Sequence, residues 1–444
     1  MPVTSRWISC LIVLIASFSL GKVTTQNSSA NKNTLVLLDN LAIKETHSMF
    51  FRKLQDSGYQ LTFKMADDAG LSLKKYGMWL YQNVILFAPG TDEFGGDLNP
   101  EAVAEFVDHG GNILIAASPA SGDAVRDLAA EFGVELDDPG SYVIDHLNFD
   151  ANIDSGRHTV VSVDPKNLIE AEILVGSSNS EAILYEGASL LLDPDNPLVL
   201  EILTASSTAY SYDPEKEISE YPHTVGKNTV LVAGLQARNN ARVIFCGSLD
   251  LFSDKYAVAT AQRGGKNVKY GNEKLATALA QWVFKEKGVL RLSNVTHHKA
   301  GEKNAPAAYT ITEDVVYNVV LEELKDGSWT GYNGNDVQLE FVRIDPFVRT
   351  TLTKVAGNKA GLYEAKFKIP DVYGVFQFKI DYHRKGYTFL SSTTQVSVRP
   401  LQHTQYERFI PSAYPYYAGA FSMIGGVFIF SCVFLHYREK DKSD

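Results

Sequence analysis

Cysteine is scarce. Of three in the chain, Cys10 lies in an apolar leader and Cys432 in an apolar segment near the far end, which leaves Cys246 alone in the body between them. No disulfide can form within that body, so it needs a large hydrophobic core, and a 45% hydrophobic composition can supply one. Positive charge is also in deficit: 41 Lys and Arg against 52 Asp and Glu give a net charge of −11. Nucleic-acid partners require basic surfaces, so none is expected. Nucleotide fingerprints are missing, because Gly95-Gly96 has neither the Gly-x-Gly-x-x-Gly spacing nor the lysine of a phosphate loop and reads as a loop. Ser118-Pro119-Ala120-Ser121-Gly122 lacks the Gly-x-Ser-x-Gly spacing of a hydrolase elbow and reads as a strand-to-helix loop. No catalytic residue, cofactor or metal is expected.

Long apolar runs are two. The first, Ile8 to Leu20, follows the single cation Arg6 and gives way to polar residues, the pattern of a secretory signal peptide over about 1–26. The second is free of charge from Phe409 to Leu435 and is the one spanning candidate, placed at 413–436 after a linker at 401–412. Tyr414, Tyr416 and Tyr417 stand at its entrance and Arg438, Lys440 and Lys442 follow it. Aromatic rings favour the interface and cations resist translocation, so the expectation is a type I protein with a lumenal body and a cytosolic tail at 437–444.

Within the body, residues 27–288 open with buried apolar runs alternating with amphipathic ones: strand at Leu35–Leu38, helix from about Glu45 to Gln55, strands at Tyr59–Met65 and Val84–Phe87, helix at Glu101–Asp108, strand at Ile113–Ala116. This rhythm predicts an open doubly wound α/β domain built on a parallel sheet. Past Asp137 strand-like runs dominate, until a helix from Glu273 to Lys287. Residues 289–400 alternate apolar and polar, as in Val375-Phe-Gln-Phe-Lys-Ile380, and predict a β-sandwich-like second domain.

Several motifs reduce to local structure. Asp193-Pro194-Asp195 has the form of a metal-binding Asp-x-Asp, but Pro194 and Pro197 bracket it as a turn. Cys246 ends a strand beside Gly247 with no nearby histidine to activate it, and reads as a buried structural thiol. His297-His298 point to opposite faces of a strand and cannot share one ion. Asn27 and Asn294 open Asn-x-Ser/Thr sequons. Lys440 and Lys442 lie fifth and third from the carboxyl end, the register of an endoplasmic-reticulum retrieval signal. Ala418, Ser422 and Gly426 recur every four residues and put small side chains on one face of the span, which permits close helix packing in lipid.

Six segments carry a resemblance: Thr34-Leu-Val-Leu-Leu-Asp-Asn40, Asp193-Pro-Asp-Asn-Pro-Leu-Val-Leu200, Gly234-Leu-Gln-Ala-Arg-Asn-Asn-Ala-Arg-Val-Ile-Phe245, Gly247-Ser-Leu-Asp-Leu-Phe-Ser-Asp254, Gln338-Leu-Glu-Phe-Val-Arg-Ile-Asp-Pro-Phe347 and Pro400-Leu-Gln-His-Thr-Gln-Tyr-Glu-Arg-Phe-Ile-Pro411. Through them the chain resembles the family of 48-kDa oligosaccharyltransferase subunits. The resemblance implies an accessory, structural subunit that supports transfer of an oligosaccharide from dolichyl diphosphate to Asn in sequons. It also implies partners: a multi-spanning catalytic subunit, the ribophorins and the small defender-against-cell-death subunit. The catalytic subunit's Trp-Trp-Asp-Tyr-Gly signature is absent from this sequence. A second reading is a lumenal carbohydrate-binding module holding glycan at the carboxyl ends of the strands, near Asp39-Asn40 and Pro89-Gly90.

Overall fold

The computed structural model describes residues 32–176, 181–263, 266–355, 361–408 and 410–438. They form two compact units, the first running to Val289 and taking in Lys385–Thr388, the second holding the rest. Asn27, Lys440 and Lys442, with all of the expected signal segment and most of the expected tail, lie outside the described residues.

The first unit is ordered β1 (Asn33–Leu38), α1 (Ala42–Thr46), α2 (Ser48–Asp56), β2 (Gln60–Met65), β3 (Asn83–Phe87), α3 (Pro100–Asp108), β4 (Asn112–Ala116), α4 (Asp123–Glu131), β5 (Val134–Leu136), β6 (Leu190–Leu192), β7 (Val199–Thr204), β8 (Val230–Gln236), β9 (Arg242–Cys246) and α5 (Asn272–Val283), with shorter elements between. One nine-stranded sheet runs β2-β1-β3-β4-β9-β8-β6-β5, with β7 also on β8. The strands from β2 to β9 along this path pair in parallel, and β8, β7, β6 and β5 add an antiparallel wing. Of the strands after Asp137, β6 to β9 therefore continue the first sheet, while Tyr142–Ile144 with Tyr210–Tyr212, Val161–Val163 with Ile183–Tyr185 and Thr260–Arg263 with Lys266–Lys269 form short two-stranded sheets of their own.

Both faces of the sheet are covered, which explains the unbroken apolar strands. Val36 and Leu38 of β1 face one cluster with Phe50, Phe51 and Leu54 of α2 and Leu275 and Leu279 of α5. Leu35 and Leu37 face the other, with Val103 and Phe106 of α3 and Val125 and Leu128 of α4. The start of α3 has a full N-cap, with Pro100 at the first turn and the Asn99 side chain accepting from Ala102 N at 2.6 Å.

Two helices depart from the sequence reading. The segment Glu45–Gln55 is broken at His47 (φ −119°), whose ring turns into the core and contacts Leu249 O at 3.2 Å through Nε2. The first amides of α2 are served from a distance: Asp254 accepts from Ser48 N at 3.1 Å and Met49 N at 2.9 Å. Helix α5 ends at Val283 because Lys285 takes a left-handed φ of 59°. Beneath that end lies Arg242, fully buried. Its Nη1 donates to Trp282 O and Lys287 O, both at 2.7 Å, and its Nη2 to Gly288 O at 2.7 Å and Gly386 O at 3.3 Å. Gly288 has φ +69° and approaches Gly386 so closely that a Cβ would sit 2.3 Å from Gly386 O, so only glycine fits there.

The second unit is β-rich. Its strands are β10 (Leu290–Lys299), β11 (Tyr309–Thr310), β12 (Asp314–Lys325), β13 (Ser328–Gly331), β14 (Gln338–Val342), β15 (Pro346–Thr351), β16 (Thr353–Lys354), β17 (Leu362–Lys368), β18 (Gly374–Tyr382) and β19 (Leu390–Arg399). One sheet runs β10-β12-β17-β16 with β13 on β12, the other β11-β19-β18-β14-β15. Alternation places Tyr317 of one sheet 5.2 Å from Phe378 of the other, while Phe341 and Phe376 stack at 4.6 Å, and these rings form the core. Helix α6 (Tyr414–His436, 23 residues) follows, ~35 Å long at 1.5 Å per residue and long enough for a bilayer core.

Candidate functional site

The carboxyl ends of the parallel strands are where ligands bind in open α/β sheets, and here they lead into Asp39-Asn40 and Pro89-Gly90. Both side chains of the first pair are occupied locally. Asp39 Oδ2 accepts from Gly90 N at 3.1 Å, and Asn40 Oδ1 accepts from Ala42 N at 3.0 Å at the start of α1. The loop after β3 is also pressed onto the start of α4: Gly122 N donates to Pro89 O at 2.9 Å, and a Cβ on Gly122 would meet Thr91 O at 2.4 Å. Backbone packing fills the crest at this point.

At the end of β9, Cys246 is buried and its Sγ donates to Ser248 O at 3.1 Å. Burial pushes the thiol up to about 12, so it stays protonated and is no nucleophile at neutral pH. Next to it, burial and then the charge of Glu186 raise the Asp250 carboxyl, while Glu186 itself accepts from Tyr256 OH at 2.6 Å. Burial lowers the pKa of His47 and keeps its imidazole neutral. Asp193-Pro194-Asp195 is a turn in which Asp193 Oδ1 accepts from Asp195 N at 2.9 Å. His297 Nδ1 meets Tyr309 OH at 2.8 Å and His298 Nδ1 meets Lys299 O at 3.0 Å, so the two rings go separate ways.

Asn294 is exposed at φ +50°, within a register shift of β10 between Ser293 and Thr296. Asn tolerates that conformation better than most residues, and a bulge holds its side chain off the sheet. Ala418, Ser422 and Gly426 are all exposed along α6, and Ser422 Oγ donates back to Gly419 O at 2.9 Å.

A cavity of about 140 Å³ that sequence reasoning did not find lies on the first unit. Its wall includes Asp137, Asp138, Ser211, Tyr212, Glu220 and His223. Asp137 is buried, and its Oδ1 accepts from Asp138 N at 2.8 Å and faces His223 Nδ1 at 2.9 Å, while Oδ2 accepts from Ser189 Oγ at 3.0 Å. Burial works against its charge, but the surrounding donors outweigh that and hold the carboxyl below the usual range. The hydrogen bond and charge of Asp137 raise His223 above its ordinary value. Asp137 and His223 lie 86 positions apart, so no spacing in the sequence signals the pair.

Two family models match the chain, "OST48, N-terminal domain" over residues 25–286 and "OST48 middle domain" over residues 297–438. The chain belongs to the OST48 family. The family relationship is near full length. A Danio rerio protein named dolichyl-diphosphooligosaccharide–protein glycosyltransferase 48 kDa subunit is 57% identical over 98% of each chain. Proteins of the same name from Drosophila melanogaster (56% identical, 98% of this chain and 97% of that one) and Caenorhabditis elegans (48%, 98% and 96%) are also similar. The two OST48 domain matches fall on the mixed α/β unit and on the β-rich unit with its apolar helix.

Proposed function

We propose that this OST48-family chain is an accessory, structural subunit of the oligosaccharyltransferase complex, supporting transfer of an oligosaccharide from dolichyl diphosphate to Asn in Asn-x-Ser/Thr. The observation that carries the reading is 57% identity over 98% of the length of a protein bearing that subunit's name. Chemistry belongs to another, multi-spanning subunit. Two findings favour this assignment: the one body thiol is buried and protonated, and the crest near Asp39 is packed with backbone. In this reading the body is lumenal with an open doubly wound first domain, Asn294 is a glycan acceptor, α6 is the single span, and Lys440 and Lys442 return the protein to the endoplasmic reticulum. The proposed partners are the catalytic subunit, the ribophorins and the small defender-against-cell-death subunit.

The small face of Ala418, Ser422 and Gly426 is an assembly element, because helices in lipid associate through close packing rather than hydrophobic force. Gly426→Leu with Ala418→Leu leaves the segment apolar enough to insert, yet should reduce co-recovery of the other subunits in mild detergent, whereas Ile424→Leu should not. Glycan transfer by the purified chain alone would refute the accessory role. Undiminished co-recovery with the Leu variants would leave assembly to the lumenal units.

A further inference from the structure

We propose that one end of the β-rich unit is a membrane-contact surface, where Ile344, Phe347, Tyr373 and Val375 enter the interfacial layer of the bilayer that α6 crosses. The inference rests on the reading of α6 as the span. Among the described residues of 290–399, these four are the large hydrophobic side chains left exposed, at 87%, 46%, 63% and 50%. They are not scattered. In the sheet β11-β19-β18-β14-β15, Val342 at the end of β14 pairs with Gln377, and Gly374 and Val375 at the start of β18 pair with Val398 and Ser397 at the end of β19. Ile344 follows Val342 by two residues and Val375 precedes Gln377 by two, so the antiparallel register carries both to the same end of the sheet. Phe347, in the first turn of β15, meets Phe376 edge-on with ring centres 5.6 Å apart, and Tyr373 immediately precedes β18.

The chain itself says what lies beyond this end. Strand β19 finishes there, at Arg399, and residues 400–413 then lead into α6. Fully extended, that linker would reach at most about 50 Å. It is shorter, because Gln405 N donates to Gln402 O at 2.8 Å and Pro411–Ala413 forms a helical turn. Single exposed apolar residues need no explanation, but a set confined to the end tethered to a span does. Tyr406 and Ile410 are exposed along the linker and Tyr414 and Tyr416 at the start of α6, so the apolar and aromatic series runs on toward the lipid. Charge selects the kind of surface. Arg343 lies over Gly374, where a Cβ would come within 3.2 Å of its Nε, and exposed Arg399 follows Val398, the strand partner of Gly374. Exposed Asp345 and Asp371 cancel these two cations. Attraction therefore comes from apolar burial, with the arginines placed to meet lipid phosphates, and a zwitterionic phosphatidylcholine surface fits.

The test places the full-length chain in phosphatidylcholine nanodiscs, in a Cys10→Ala and Cys432→Ala background, with a nitroxide attached at Ile344→Cys or at Tyr373→Cys. Both positions are exposed, so neither change removes core packing, and buried Cys246 should not label. The control is Ser391→Cys, exposed on the same strand as Ser397 and about 20 Å from it along β19. Oxygen concentrates in lipid and a nickel chelate in water. Relaxation of the label by oxygen should exceed that by the chelate at 344 and 373, and the order should reverse at 391. A further sample, Cys10→Ala alone, carries the label at Cys432 within α6 and tests the span by itself. Chelate-dominated relaxation at 344 and 373 with an oxygen-dominated Cys432 would overturn the contact surface and leave the span standing, whereas a chelate-dominated Cys432 would sink the span reading and the inference with it. Protection of 344 and 373 from both reagents, in the nanodisc or in the assembled complex, would also overturn it, because a second copy or another subunit would then cover the patch.

Discussion

Replacing Arg242 with Met takes a guanidinium out of a place where no carboxylate among the described residues pairs with it. Its charge is met by four carbonyls, those of Trp282, Lys287, Gly288 and Gly386, and by the face of the Trp282 ring 4.8 Å away. Charged hydrogen bonds are worth ~1.5–3 kcal/mol each, a gross ~6–12 kcal/mol. Against that, burial lowers the Arg242 pKa from 12.5 to about 9, which corresponds to ~5 kcal/mol spent on desolvating the charge and regained in the Met variant. Three of the carbonyls keep a second donor: Lys285 N for Trp282 O, Thr388 N for Gly288 O and Trp282 Nε1 for Gly386 O. The difference is about 1–7 kcal/mol, and the net loss should therefore fall in its lower half, about 3 kcal/mol. Arg242→Lys keeps the burial cost but replaces the planar fork with one ammonium that cannot reach all four oxygens, so it should be no better than Met. Denaturant unfolding of the full-length chain, followed by Trp fluorescence, reads both variants against the native protein. A Lys variant within about 0.5 kcal/mol of native would refute the reasoning, because charge alone would then suffice.

Asp254→Ala should cost about 1–2 kcal/mol through loss of the remote cap on α2, and Asp254→Asn less, measured by the same unfolding; equal losses would exclude the cap as the cause. His47 and His223 should tilt stability in opposite directions with pH. The folded pKa of His47 lies below 6.5, so the unfolded chain binds more protons and stability falls as pH drops below 6.5; that of His223 lies above, so its contribution is full below 6.5 and lost as pH rises through the folded value. Substituting each by Gln should change the slope of midpoint against pH with opposite signs, and a shared sign would contradict the two environments. Cys246 should resist alkylation in the folded chain and react only on unfolding, and Cys246→Ser should keep the hydrogen bond to Ser248 O with a loss of about 1 kcal/mol; rapid native labelling would contradict the burial. Thr296→Ala and Asn294→Gln should each raise gel mobility by the same step if Asn294 carries a glycan, and unchanged mobility in both would exclude it.

What the sequence made legible is what depends on near neighbours. Leu35–Leu38 is apolar at every position because β1 is covered on both sides, and that needs no knowledge of what covers it. The amphipathic run Glu101–Asp108 marks α3 to within a residue of its start at Pro100, and the alternation around Phe376 and Phe378 marks a sheet with one buried face. Partner choice is different. The pairing of Val199 with Leu235 and of Leu190 with Val230 joins the second half of the first unit to its parallel sheet, and apolar runs of similar composition give no sign of which strand they will meet. The break at His47 was hidden for the same reason: the helical period continues through it, and the amides that restart the helix are capped by Asp254, 206 positions after Ser48. The cavity around Asp137 is the extreme case. Nothing in the local pattern around Asp137 or His223 sets either apart, and only folding brings the buried carboxylate and the imidazole to one wall. Chemistry assembled across that many residues follows from topology, so in this chain the most informative polar cluster lies where local pattern had the least to say.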